Sequence, residues 1–169
     1  MASVRRKADP GPPGVVIRDA GPGDLAAVVR LDAEATGLRK AAYWRGRLAW
    51  YAGPKEHRPA QSAGGHRDRF FLVACRGKET VGFILGDVRA WEFGAPPSGW
   101  IFAINVKRSA RLHRVGTLLF DALCARFRAA GVDIVRTMPS KEAQLILSFF
   151  RSQGLMAGPF VLLEKRLDP

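Results

Sequence analysis

The chain has 169 residues, a length that fits one domain with a single hydrophobic core. Its composition, with 47% hydrophobic and 25% charged residues, excludes a disordered or collagen-like protein. The formal net charge of +12 at pH 7 favours an anionic ligand or partner, but the charge does not choose between a phosphate cofactor, a nucleic acid and a membrane surface.

Cysteine and histidine are too few and too scattered for a disulfide framework or a zinc site. Cys75 and Cys124 each lie in an apolar run, and the three histidines are isolated from one another and from both cysteines. No apolar stretch approaches the roughly 18 to 20 residues of a membrane helix. We therefore expect a cytoplasmic protein with no metal and no membrane anchor.

The predicted elements begin after an N-terminal tail. Residues 1–14 are rich in Pro and Gly and lack an apolar segment, which predicts a disordered tail rather than a signal peptide. The folded domain is predicted to span residues 15–169. It starts with a strand at Val15–Ile17 and a helix from Leu25, for which Asp24 is the expected N-cap residue.

A second helix and an irregular segment follow. The helix is predicted over about Lys40 to Tyr51, because Trp44 and Leu48 recur with Tyr51 at the spacing of a face packed in the core. Residues 52–68 combine Gly, Pro, Ser and charged side chains without periodicity, which predicts a long surface loop or a mobile flap.

The middle of the chain is rich in strands. Residues 69–76 and 81–90 are β-rich runs joined by a turn at 77–80, which predicts a hairpin. A further strand is predicted over Trp100–Val106, followed by an amphipathic helix that ends at Gly131.

The C-terminal part is predicted to alternate between strand and helix. It contains a strand at Asp133–Thr137, a helix from about Lys141, a turn at Gly154 and a last strand over Phe160–Arg166. The resulting order, β-α-α-β-β-β-α-β-α-β, has no internal repeat and predicts an α/β protein.

The residues that carry chemistry are concentrated between Asn105 and Thr117, where a strand ends, an arginine-rich loop follows and a helix begins. A helix N-terminus exposes unpaired N–H groups and carries roughly half a positive charge, so it binds phosphate. Gly116 lacks the Cβ that would stand between backbone and phosphate. A stretch without acids, from Phe93 to Phe120, also contains the basic residues Lys107, Arg108, Arg111 and Arg114. These features predict a phosphate site, against the alternative of a solvated basic connection.

The run Val106–Leu119, VKRSARLHRVGTLL, resembles the acyl-CoA-binding signature of the GNAT superfamily of N-acetyltransferases, usually written Q/R-x-x-G-x-G/A. Arg111 and Gly116 occupy matching positions, whereas Arg114 replaces the first glycine. The element order over about Val15 to Leu167 is also that of the family, and so is the ending FFRSQGLMAGPFVLLEKRL.

The resemblance implies a fold and an activity. The fold is a single domain with a central mixed, mostly antiparallel sheet flanked by helices. The activity is direct transfer of the acetyl group of acetyl-CoA, the co-substrate, to a primary amine of a small molecule or protein, by a monomer or homodimer. The alternative is a catalytically inactive acyl-CoA-binding sensor or interaction module.

The resemblance also implies how the cofactor is held. The backbone of Ile104–Val106 would pair with the pantetheine arm, and Arg111–Thr117 would wrap the pyrophosphate. Arg114 is expected to be tolerated in place of glycine, with its guanidinium turned toward the 3′-phosphate. The cofactor-binding residues are therefore Ile104, Asn105, Val106, Arg111, Leu112, His113, Arg114, Val115, Gly116 and Thr117.

The catalytic groups have fewer candidates. The tyrosine that many GNAT members use as general acid corresponds to Phe150, which has no proton to give, and the strand Trp100–Val106 holds no carboxylate. Asp87 and Glu92 are the nearest upstream acids, and either is expected to act through a water molecule. Glu92 is the assigned candidate because its aromatic neighbours favour a raised pKa; a solvent-facing carboxylate at a strand end is the alternative.

A third hypothesis is a nucleic-acid-binding module, suggested by the 27 basic residues and four tryptophans. No recognition-helix or RNP-like motif accompanies them, which argues against nucleic acid as a partner.

Overall fold

The computed structural model describes residues 14–52, 68–91, 94–111 and 113–167. Residues up to Met138 form one compact unit, and residues from Pro139 onward form a second. In chain order, the elements are β1 (Val15–Asp19), α1 (Leu25–Thr36), α2 (Ala41–Ala52), β2 (Arg69–Arg76), β3 (Glu79–Arg89), β4 (Ser98–Val106), α3 (Val115–Ala129), β5 (Val135–Thr137) and α4 (Gln144–Ser152).

The first unit is built on one five-stranded sheet with the spatial order β1-β2-β3-β4-β5. β1, β2, β3 and β4 pair antiparallel in sequence, and β4 pairs with β5 in parallel. β2 and β3 form the predicted hairpin, in which Arg76 lies opposite Glu79. A parallel pair needs a crossover, and α3 supplies it between β4 and β5. The predicted α/β class, with a mixed and mostly antiparallel sheet flanked by helices, is confirmed.

The central strands are covered on both faces. Because side chains alternate along a strand, Phe83 and Leu85 of β3 point to one face, where they join the core residues of α1 and α2. Trp44, Leu48 and Tyr51, the stripe predicted from the sequence, are all buried in that cluster. The opposite face of β3 lies against α3.

α3 packs unusually close to the sheet because two strand positions lack side chains. A Cβ on Gly99 would lie 2.5 Å from the Cδ2 atom of Phe127, and a Cβ on Gly86 would lie 2.4 Å from the backbone oxygen of Trp100. Phe127 is fully buried. Its ring therefore lies directly over the backbone of β3 and β4.

Asp24 precedes α1, as predicted, but its side chain makes no capping hydrogen bond. Its carboxylate instead accepts bonds from Arg18 (2.7 and 2.8 Å), from the backbone N–H of Gly21 (2.9 Å) and from Thr80 Oγ1 (3.0 Å). Burial opposes ionisation of the carboxyl, but these bonds outweigh it and hold its pKa below the usual value. Asp24 thereby ties β1 and the start of β3 to the entry of α1.

The second unit contains α4 and the turn predicted at Gly154, which has a φ of +89°. The predicted last strand over Phe160–Arg166 is wrong, since residues 155–167 contain no strand. Consecutive apolar residues stabilise a strand only when both of its faces are buried, whereas Val161 is 82% and Leu163 87% exposed. The predicted tail up to residue 13 and the loop at 53–67 lie outside the described residues.

We expect Gly86→Ala to lower the free energy of unfolding by about 1–3 kcal/mol, because the added methyl group meets backbone that cannot move aside cheaply. Gly46→Ala is the matched control. Gly46 lies within α2, and a Cβ there would meet open space, so this change should raise stability by up to about 1 kcal/mol. Urea denaturation of the two variants measures both effects, and equal midpoints would contradict the close packing of α3.

Candidate active site

The site begins at an opening between β4 and β5. The two strands pair only at Gly99–Val135, Trp100–Arg136 and Ile101–Thr137. From Ala103 to Val106, β4 pairs with β3 alone among the described residues. The edge of β4 that faces away from β3 therefore has no strand partner in the described chain over the residues predicted to pair with a pantetheine arm, Ile104–Val106.

β4 changes register at the residue where this opening starts. Leu85 lies opposite Ala103 and Gly86 opposite Ile101, so Phe102 is an extra residue, a β-bulge. Thr137 Oγ1 donates a hydrogen bond to the Ile101 carbonyl at 3.1 Å and closes the inner end of the opening. Phe102 itself is 41% exposed.

The loop after β4 folds back onto the end of that strand. Arg111 Nε donates to the backbone oxygen of Val106 at 3.1 Å, which joins the two segments assigned to the cofactor. Lys107 pairs with Glu79 at 2.5 Å, and this bond lowers the pKa of the Glu79 carboxyl. The loop is therefore less positive than the sequence window predicts, because Glu79 reaches it from another strand.

The N-terminus of α3 follows this loop. Its first backbone bond runs from Leu118 N to the oxygen of Arg114 at 3.0 Å, so the N–H groups of Val115, Gly116 and Thr117 have no acceptor within the helix. Gly116 and Thr117 are half-buried, whereas the Val115 side chain is fully buried and only its backbone is available to a ligand.

Arg114 has left-handed backbone angles, φ 58° and ψ 11°. Glycine adopts this conformation at no steric cost, which explains why the family signature has glycine here. Arg114 thus has backbone angles that glycine would adopt at this position, and its side chain is exposed.

Leu112 and Glu92 lie outside the described residues, so their assignments stay predictions. His113 lies in the turn before α3 and is exposed. Phe150 belongs to α4 in the second unit, where its buried ring lies 5.3 Å from the ring of Phe149.

Asp87 is buried on β3, on the face covered by α1 and α2. It accepts a hydrogen bond from Tyr51 Oη at 3.4 Å and an ion-pair bond from Arg89 Nε at 3.2 Å. Burial, and next the charge of Asp87, raise the pKa of Tyr51 above its usual value. Tyr51 therefore stays protonated and donates to the carboxylate.

Sequence reasoning missed the row of side chains in which Asp87 stands. Strand register places Arg69 opposite Asp87, Asp87 opposite Trp100, and Trp100 opposite Arg136. These residues are far apart in the chain and form no motif. Strand register is the only signal that brings them together, and the sequence pattern fixes it too loosely to predict the row.

The comparison with protein families identifies the chain. The sequence profile of the acetyltransferase (GNAT) family matches residues 32–154, most of the chain. The chain belongs to the GNAT acetyltransferase family. It is accordingly an acyltransferase that uses an acyl-CoA co-substrate and a separate acceptor. No curated protein sequence matches it significantly.

Solved structures share the GNAT fold at low sequence identity. A transcriptional regulator from Bacillus halodurans has a TM-score of 0.72 and 19% identity, over 90% of this chain and 99% of that one. A ribosomal-protein-alanine N-acetyltransferase from Brucella melitensis biovar Abortus has a TM-score of 0.68 and 15% identity, over 91% and 99%. An aminoglycoside N-acetyltransferase solved with CoA has a TM-score of 0.72 and 12% identity, over 95% and 99%.

The described residues fit the acyl-CoA that the GNAT family uses. An open strand edge offers backbone groups to an amide-containing arm, and the helix N-terminus lies at the end of the connecting loop. Within the described ranges, no helix is long and apolar enough to cross a membrane.

The left-handed backbone at position 114 predicts that a glycine variant is more stable than an alanine variant. We expect Arg114→Gly to be about 1 kcal/mol more stable than Arg114→Ala, because alanine keeps the left-handed strain and glycine removes it. Both variants lose the guanidinium, so their difference isolates the backbone. Urea denaturation without ligand measures it, and an alanine variant as stable as the glycine variant would refute the strain.

Proposed function

We propose that this GNAT protein transfers the acetyl group of acetyl-CoA directly to a primary amine. The observation that carries the proposal is the open edge of β4, which leads from the bulge at Phe102 to the N-terminus of α3. Acetyl-CoA supplies an activated acetyl group when it is bound.

Different residues of the chain would bind the phosphates and the pantetheine arm of this co-substrate. The N–H groups of Val115, Gly116 and Thr117 would bind the pyrophosphate, with charge added by Arg111, and the Arg114 guanidinium would face the 3′-phosphate. The backbone of Ile104–Val106 would hold the pantetheine arm. This direction brings the acyl end to Phe102, where the opening closes.

The sheet leaves one direction of approach for the amine. On one face, α3 lies against β3 and β4 with Phe127 over Gly99. The other face, beside Phe102, carries Asp87, Tyr51 and Arg89. The amine would therefore reach the acyl group on the face of Asp87 and Arg89, where the side chains of Phe102 and Arg89 are partly exposed.

Proton transfer in this proposal does not use a tyrosine at position 150. A thiol has a pKa of about 8.5, so the thiolate is a fair leaving group and can be protonated by water. The remaining requirement is a neutral amine. Glu92 is the proposed proton acceptor through water, and Asp87 is the described carboxylate on the approach face.

Acetyl-CoA should raise the melting temperature, since a ligand that binds only the native state stabilises it by about 2.7 kcal/mol at a hundred times its Kd. Gly116→Asp places a side chain and a negative charge against the pyrophosphate, so it should weaken binding about tenfold or more. Calorimetric titration with acetyl-CoA measures this loss.

Gly46→Asp is the control, because it makes the same chemical change at an exposed site in α2. Its affinity for acetyl-CoA should equal that of the unchanged protein. Normal binding by Gly116→Asp would show that the phosphates lie elsewhere. If the protein binds acetyl-CoA but releases no CoA thiol in the presence of any amine tested, the result would support the inactive-sensor alternative over the enzyme.

The pH dependence of turnover tests the proton route. We expect the rate to rise with pH along a single limb, without the alkaline fall that titration of an essential tyrosine would produce. Glu92→Gln should lower the rate and move the limb to higher pH, whereas Glu34→Gln, on the exposed face of α1, should change neither. If Asp87→Asn moves the limb and Glu92→Gln does not, Asp87 is the acceptor instead.

A further inference from the structure

α2 carries a second row of side chains that the core does not use. Tyr43, Arg47 and Trp50 are four and three positions apart, so they lie on one face of the helix, beside the row that packs in the core. Tyr43 and Trp50 are each 48% exposed. We refer to these three residues as the ring–arginine face.

Both exposed rings are held in place by cations. The guanidinium carbon of Arg47 lies 5.2 Å from the centre of the Tyr43 ring, and that of Arg69 lies 3.8 Å from the centre of the Trp50 ring. Arg69 Nη1 also donates a hydrogen bond to the Trp50 carbonyl at 3.3 Å. The Tyr43 ring meets the buried ring of Trp44 edge-on, with 5.1 Å between their centres. The rings are therefore positioned by the protein itself, although nearly half of each residue stays exposed.

The charge of this part of the chain is positive. Residues 35–52 contain no Asp or Glu. The basic residues of this range are Arg39, Lys40, Arg45 and Arg47. Lys40 is paired with the buried Asp32 at 3.0 Å, so the arginines determine the charge at the surface of α2. A partner with complementary charge is therefore an anion.

The charge and the rings together favour one class of anionic partner. An acidic protein segment pairs with arginine but brings no planar group to each ring. A membrane surface binds helices whose apolar face can enter the lipid, and the apolar face of α2 is already buried in the core. A single-stranded nucleic acid brings a phosphate and an unstacked base with every nucleotide, and its binding without sequence preference needs no recognition motif.

We propose that the ring–arginine face binds a single-stranded nucleic acid. Bases stack on Tyr43 and Trp50, and a phosphate between them contacts Arg47. The two rings are seven positions apart, about 10 Å along the helix axis, which is roughly three nucleotides of a stacked strand. α2 covers the face of the sheet opposite α3, so this surface is separate from the proposed acyl-CoA site.

The test compares two strands that differ only in their bases. Fluorescence anisotropy measures the binding of a labelled oligothymidylate and of an abasic oligomer of the same length and charge. Stacking predicts that oligothymidylate binds about five- to a hundredfold more tightly. Equal affinities would overturn the proposal. Saturating CoA should leave the affinity unchanged, and displacement of the strand by CoA would place it at the proposed phosphate site instead.

Variants show whether the ring–arginine face is responsible. Trp50→Ala should weaken binding of oligothymidylate about five- to a hundredfold, and Trp50→Phe, which keeps a ring, should retain most of the affinity. Tyr43→Ala tests the other ring and replaces Trp50→Ala if that variant does not fold. Arg47→Gln should make the slope of log K against log salt less steep by about 0.7, because one phosphate contact is lost.

Arg45→Gln is the matched control, because Arg45 is exposed on another side of α2 and its loss removes the same charge. It should leave the salt slope unchanged. Polyglutamate and phosphatidylserine vesicles represent an acidic protein and a membrane, and either one binding as tightly as oligothymidylate would overturn the proposal. Affinity that is unchanged in Tyr43→Ala, Arg47→Gln and Trp50→Ala would also overturn it.

Discussion

Among the described residues, β4 has a neighbour on both edges only from Gly99 to Ile101, and the geometry of the proposed site follows from where that double pairing stops. Up to Ile101 the strand is part of a closed sheet. Beyond it, the bulge at Phe102 bends the strand and its outer edge is open in the described chain. Unpaired strand backbone is a strong template for another chain of amides. The end of the β4–β5 pairing at Ile101 therefore leaves the strand edge that is proposed to bind pantetheine, and it also determines that this edge starts at Phe102.

The two ends of this binding edge are coupled through one contact. Phe127 lies against Gly99 in the doubly paired part of β4, and it belongs to α3, whose first turn is the proposed phosphate site. A displacement of that turn would push a buried ring into strand backbone. Close-packed interiors resist such displacement. The distance between the phosphate site and the bulge is consequently a property of the core rather than of a loop.

The sequence predicted those features that depend on local pattern. The hairpin, the helix stripe of Trp44 and Tyr51 and the start of α3 each follow from spacing within a few residues, while phosphate binding at that helix start stays a prediction. The prediction of a last strand was wrong because the β-propensity of Val161 to Leu163 does not specify a neighbouring strand with which they would pair. The cross-strand row of Arg69, Asp87, Trp100 and Arg136 was missed because it forms only through the register of four strands, which side-chain alternation constrains modestly.

The left-handed backbone at Arg114 has a consequence for how this position can vary. Glycine, asparagine and aspartate enter that conformation more readily than other residues, and β-branched residues enter it least. Substitution at position 114 is thus limited by two requirements, a left-handed backbone and a charge that is compatible with the proposed phosphate site. Asparagine meets both requirements, whereas aspartate meets only the backbone requirement because its negative charge would repel a phosphate. The two requirements can be separated at position 114. A comparison of the asparagine and aspartate variants would show whether the backbone angle or the charge limits substitution there.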